Sequence, residues 1–152
     1  MFTAQDILEI AIRLEKNGEK RYLEAQAHTS DDNLKSLLNW VAEEERAHAR
    51  WFIALKKSLV QGEDHHLLVQ LSQALVEDVI RSQSFSLQEV DFSAIQTTDQ
   101  IIRTFIGFED DTIAFYEVLK SLIDDPATAS RLKQIIDEER KHIAQFRNLL
   151  AG

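Results

Sequence analysis

The 152-residue sequence contains no cysteine, one proline, four glycines and one methionine. Without cysteine there is no disulfide, thiolate nucleophile, zinc finger or thiolate-held iron site. Any metal must therefore sit on oxygen and imidazole. So few Gly and Pro residues provide too few turns for a β-sandwich or a barrel of many short strands. Positive charge is also scarce: 17 Lys and Arg stand against 26 Asp and Glu, a formal net charge of −9. That balance argues against a nucleic-acid partner, because phosphate binding draws on a basic excess. No apolar run approaches the roughly 18 residues of a membrane span. The segment Met1 to Asp6 lacks the basic and apolar regions of a secretory signal, so the expected location is cytoplasmic. What remains is 44% apolar and 28% charged, a globular composition expected to form one domain over 1–152.

Four long segments repeat apolar residues at spacings of three and four, the period of an amphipathic helix. The first runs from about Asp6 to Ala27 with Leu8, Ala11, Ile12, Tyr22 and Ala25 on one face, and Thr3 with Asp6 as its capping pair. The polar stretch 28–33 ends it. The second, Asn33 to Val60, places Leu38, Val41, His48, Phe52 and Leu55 together, and Gly62 is its expected stop. A shorter amphipathic piece spans Leu67 to Ser84, followed by an aperiodic connection over 85–98. The third segment starts near Asp99 and aligns Ile102, Phe105, Ile106, Tyr116 and Leu119. Asp125 before Pro126 is an N-cap ahead of a first-turn proline, opening the fourth segment. That segment runs to Leu150 with Leu132, Ile135, Ile136, His142, Ile143, Phe146 and Leu149 in step. The predicted fold is all-α, a four-helix bundle of two antiparallel pairs joined by a long crossover that contains a shorter helix.

An internal repeat carries the chemistry. Glu45-x-x-His48 recurs as Glu139-x-x-His142, and Glu15-x6-Tyr22 as Glu109-x6-Tyr116. The differences 109 − 15, 116 − 22, 139 − 45 and 142 − 48 are all 94, and the set includes both tyrosines of the chain. Residues three, four or seven apart share a helix face, and each of these falls on its segment's apolar stripe. Four carboxylates and two imidazoles are thereby directed at the core. Each buried carboxylate costs several kcal/mol, and no inward Lys or Arg is there to compensate. Two divalent metals would balance four carboxylates and leave the imidazoles neutral. One Glu from each of two helices with Glu-x-x-His from the other two is the di-metal carboxylate arrangement of ferritin-like bundles. Mixed imidazole and carboxylate donors suit iron or manganese better than magnesium or calcium. A lone Glu-x-x-His is ordinarily surface chemistry; the shared offset and buried phase set this pair apart.

These motifs resemble those of the rubrerythrin branch of the ferritin-like superfamily, over nearly the whole chain. The resemblance implies two iron ions, with Glu15 and Glu109 as terminal ligands, Glu45 and Glu139 bridging, and His48 and His142 on one metal each. It implies a non-haem di-iron oxidoreductase that reduces hydrogen peroxide; related proteins oxidise Fe²⁺. Without cysteine there is no rubredoxin domain, so the electrons would come from an external redox protein. Many rubrerythrins carry an additional Glu near the third-helix ligand, where this sequence has Ile106 and Thr112. The resulting six-ligand set resembles that of bacterioferritin, although Met1, the sole methionine, leaves no Met-ligated haem. Ferroxidase or iron-handling activity is the principal alternative, followed by dimanganese catalase and a helical interaction module with a vestigial site.

Several further residues have two readings. Tyr22 and Tyr116 would hydrogen-bond a Glu ligand one helical turn away, or be plain core aromatics. Gly18, on the face of Glu15 and Tyr22, would make room for substrate or for close helix approach. Glu43, Glu44, Asp137 and Glu138 flank the bridging pair as a solvated face, from which one would orient a ligand imidazole. Arg46 and Arg140, also 94 apart, would pair with neighbouring acids or serve solubility alone; Trp40 and Trp51 would serve packing rather than electron transfer. His28, His65 and His66 are expected to be solvated. The long 67–98 region would cover or exchange with a second protomer, giving a homodimer or larger assembly.

Overall fold

The computed structural model describes residues 4–60 and 97–151, and among them four helices and no strand. They are α1 (Ala4–Ala27), α2 (Asp32–Val60), α3 (Thr98–Ser121) and α4 (Pro126–Ala151). The helices follow the apolar stripes because each stripe must be buried against another helix. Leu8, Ala11, Ile12 and Ala25 of α1 are buried, as are Leu38, Val41 and Phe52 of α2. Ile102, Phe105 and Leu119 of α3 join Leu132, Ile135, Ile136, Ile143 and Phe146 of α4. Leu55, Ile106 and Leu149 are only half-buried, at the rim of the same cluster. α1 packs along α2 and α3 along α4, while α2 meets α4 across the middle. The expected bundle of two antiparallel pairs is the one formed.

The helix ends show what sets each boundary. The Asp31 carboxylate accepts from Leu34 N at 2.9 Å and caps α2, one residue ahead of the expected start. The Asp125 carboxylate accepts from Thr128 N at 2.9 Å, so the predicted cap before Pro126 is present. α3 begins at Thr98 rather than Asp99, because Thr97 and Gln100 form a reciprocal capping box. The Thr97 hydroxyl accepts from Gln100 N at 3.1 Å, and the Gln100 side chain accepts from Thr97 N at 3.2 Å. α1 starts at Ala4, two residues before the expected Asp6. The Thr3 cap, the Gly62 stop, the 67–84 helix and the two histidines at 65 and 66 lie outside the described residues. So do residues 67–96 of the segment on which the oligomer expectation rests.

Candidate metal centre

All six candidate ligands converge. Glu15 from α1, Glu45 and His48 from α2, Glu109 from α3, and Glu139 and His142 from α4 are each fully buried, at 0% exposure. Their donor atoms form two overlapping groups, each within 4.8 Å: Glu15, Glu45, His48 and Glu139, and Glu45, Glu109, Glu139 and His142. Glu45 and Glu139 belong to both. Each group takes three residues from one helix pair and one from the other, the arrangement expected of two-fold related halves.

The inner atoms have no hydrogen-bond partners. Both carboxylate oxygens of Glu45 and of Glu139, one each of Glu15 and Glu109, and Nδ1 of His48 and His142 are buried and unpaired. His48 Nδ1 lies 2.8 Å from Glu139 Oε1 and 3.4 Å from Glu15 Oε1. His142 Nδ1 lies 3.3, 3.5 and 3.6 Å from Glu45, Glu109 and Glu139. So many unpaired acceptors would be costly as a finished core, whereas they are what a cation requires. The donor set therefore fits two divalent metals.

The outer nitrogens are fixed. His48 Nε2 donates to Glu138 Oε2 at 3.0 Å, and His142 Nε2 to Glu44 Oε1 at 3.2 Å. An ionised carboxylate only accepts, so Nε2 keeps its proton and Nδ1, once deprotonated, would offer its lone pair inward. The bond from His142 holds the Glu44 carboxyl below the usual carboxylate range despite partial burial. Glu44 and Glu138 are also 94 apart, 138 − 44, so the repeat already marked them. They are half-buried orienting groups rather than members of a solvated face.

The tyrosines bind crosswise. Tyr116 of α3 donates to Glu15 of α1 at 2.6 Å, and Tyr22 of α1 donates to Glu109 of α3. The glutamate partner thus belongs to the opposite half, not to the tyrosine's own helix as expected, because the α1 and α3 stripes face each other at this level. Tyr22 stacks on Phe146 with ring centroids 6.0 Å apart, and its counterpart Tyr116 tilts on Phe52 at 5.3 Å. Burial first, then the adjacent carboxylates, push both phenols well above their ordinary pKa, so they remain donors.

Without metal the cluster holds protons. Burial, then repulsion from Glu139, Glu15 and Glu109, pushes the Glu45 carboxyl well above its usual range. Burial and the Glu139 charge do the same to Glu109. Burial alone would depress His48, but Glu15 and Glu139 outweigh it and raise the imidazole to about 11. His142 is raised further still, its own burial outweighed by Glu109, Glu139, Glu44 and Glu45. Burial would lift Glu139 too, yet the protonated Glu109 and the two imidazolium rings beside it keep it well below the carboxylate range.

Around the site, a Cβ on Gly18 would lie 3.1 and 3.3 Å from Phe108 ring carbons and 3.4 Å from Glu45 Oε2. Glycine here permits close approach of α1 to Phe108 of α3. Arg46 pairs with Glu19 at 2.7 Å and Arg140 with Glu117 at 2.9 Å, both at the surface. Trp51 packs edge-on against Phe52, but Trp40, 40% exposed, sets its ring edge to face against His142 with centroids 5.3 Å apart. His28 is exposed. No helix among the described residues is long and apolar enough to cross a membrane.

No curated protein sequence matches the chain. A solved structure from Thermotoga maritima, described as a ferritin-like diiron-carboxylate protein, superposes with a TM-score of 0.70 at 24% identity. The match covers 97% of this chain and 94% of that one, and at this identity it shows a common fold. The family model described as Rubrerythrin matches residues 6–150, a span that includes every residue of both donor groups. The chain belongs to the rubrerythrin family.

Proposed function

We propose that the protein is a non-haem di-iron oxidoreductase that reduces hydrogen peroxide with electrons from an external redox protein. The observation that carries this reading is the pair of four-residue donor groups sharing Glu45 and Glu139. Glu45 and Glu139 would bridge, Glu15 and Glu109 would bind terminally, and His48 and His142 would offer Nδ1. When bound, two ferrous ions supply the two electrons that reduce the oxygen–oxygen bond and act as Lewis acids. The protein's own groups do the rest. Tyr22 and Tyr116 hold the terminal carboxylates, Glu44 and Glu138 fix the imidazoles, and complete burial excludes bulk water. Without cysteine, this chain has no thiolate-held second iron site, which is why an external donor is required.

Glu45→Ala removes a member of both groups, so neither metal should be retained. Metal analysis after purification and peroxide turnover test this directly; two retained metals with full turnover would sink the assignment.

Ferroxidase activity is the second reading, favoured because only six residues form the two groups among the described residues. Stoichiometry separates the two. A peroxidase cycles a retained pair of irons, whereas a ferroxidase consumes added Fe²⁺ and releases or deposits Fe³⁺. Manganese in the purified protein together with oxygen evolution would point instead to a catalase.

A further inference from the structure

On α3 the inward stripe reads Glu109, Thr112, Tyr116; on α1, each position 94 earlier, it reads Glu15, Gly18, Tyr22. The two halves agree at the first and last positions and differ in the middle. Where α1 has no side chain, α3 has a hydroxyl. Thr112 is 1% exposed, and its Oγ1 has no hydrogen-bond partner.

That vacancy is unusual for a helical threonine, whose hydroxyl ordinarily donates to the carbonyl four residues back. Thr104 on the same helix does so, to the Gln100 carbonyl at 2.8 Å. An unpaired buried hydroxyl is destabilising, and a valine of nearly the same shape would avoid the cost. On the same stripe Glu109 Oε1 accepts from Tyr22 and Tyr116 donates to Glu15, and neither bond involves the Thr112 hydroxyl. The Thr112 hydroxyl is therefore a free donor one helical turn from Glu109.

We propose that Thr112 donates this hydrogen bond to the small exogenous ligand that enters the di-metal centre, a peroxide or an anion of similar size. Thr112 is then a catalytic residue: it touches substrate, keeps its proton and orients the substrate atom it contacts. Gly18 provides no counterpart on the other half, so the bound ligand meets a donor on one side only. The inference rests on the di-metal reading and adds asymmetry to it.

The test uses inorganic azide as the probe. Azide is titrated into the iron-loaded, oxidised full chain, following its charge-transfer absorption, with metal content measured on the same samples. Thr112→Val should keep two metals and weaken azide binding about tenfold, the loss of one hydrogen bond to a charged group. Thr112→Ser should restore binding to within about twofold. Chelator-treated Thr112→Val should melt no lower than chelator-treated wild type, since nothing in the fold uses the hydroxyl. Azide bound equally well by Thr112→Val with two metals present overturns this inference alone. Loss of a metal in Thr112→Val, or a lower melting temperature without metal, also overturns it, because the hydroxyl would then serve a ligand or the fold. Wild-type protein that takes up no metal overturns the di-metal reading itself, and this inference with it.

Discussion

At the scale of single residues, the site is a set of inward atoms with nothing to bind and outward atoms held firmly. His48 is the clearest case. Its Nε2 is committed to Glu138, which leaves Nδ1 as the only nitrogen available to a metal. Glu138→Gln removes the negative acceptor while keeping the shape. Loss of such an orienting carboxylate typically weakens metal affinity by about 10–100-fold. We expect that loss at the position served by His48, and from Glu44→Gln the equivalent loss at His142. Competition against a chelator of known affinity measures both; wild-type affinity in the two variants would show that the imidazoles need no such anchor. The six candidate ligands were legible in the sequence because three-, four- and seven-residue spacings fix a shared face within one helix. The tyrosine partners were not. Which glutamate Tyr22 meets depends on the axial register of α1 against α3, and no spacing within a helix encodes that. Glu138 falls between these cases: the offset of 94 marks it, but only interhelical geometry shows that it reaches His48.

At the scale of elements, boundaries depend on a few side chains. The periodicity placed all four long helices, since each needs a continuous apolar stripe. Their ends were read less well, because a cap is decided by one or two bonds. Asp125 was legible through the proline that follows it. Thr97 and Gln100 were not, since threonine at the edge of an aperiodic stretch gives no contrast. The capping box at the start of α3 satisfies two amide donors, and a single such cap contributes about 0.5–2 kcal/mol. Thr97→Ala should therefore lower the stability of the metal-free protein by roughly 1 kcal/mol. Thr97→Ser should lose much less, as the hydroxyl remains. Urea unfolding of the metal-free protein gives both values, and equal stability of Thr97→Ala and wild type would mean that the cap contributes nothing. The variant should still bind two metals, because Glu109 lies three turns into the helix.

For the whole molecule, the buried cluster couples folding to pH. His48, raised to about 11 in the fold against 6.5 for a free imidazole, contributes stability that is complete below pH 6.5. That contribution is lost as pH rises toward the folded value, and His142 acts in the same direction. Glu45 and Glu109, raised from 4.5, also favour the fold only while protonated, so their contribution falls as pH climbs. Glu139 opposes them: its depressed value stabilises above 4.5 and is lost only in acid. Between about pH 6 and pH 8.5 Glu139 no longer changes, and the two imidazoles make the metal-free protein less stable at the higher pH. Metal reverses the sign, because the ligands must shed those protons to bind. Thermal melts with and without metal at the two pH values should show a larger metal-induced gain at the higher one. A metal-free protein that becomes more stable as pH rises over this range would contradict the protonated cluster.

The crossed bonds and shared glutamates bear on how such a centre could be assembled. Glu15, Glu45 and His48 all belong to α1 and α2, and the fourth member of their group, Glu139, is the counterpart of Glu45. Two copies of the first helix pair, facing each other across a two-fold axis, would contain every donor type the centre uses. Each tyrosine would find a glutamate on its twin. The chain is thus a covalently joined version of a symmetric dimer of hairpins, and what the single chain gains over that dimer is the freedom to let the halves differ.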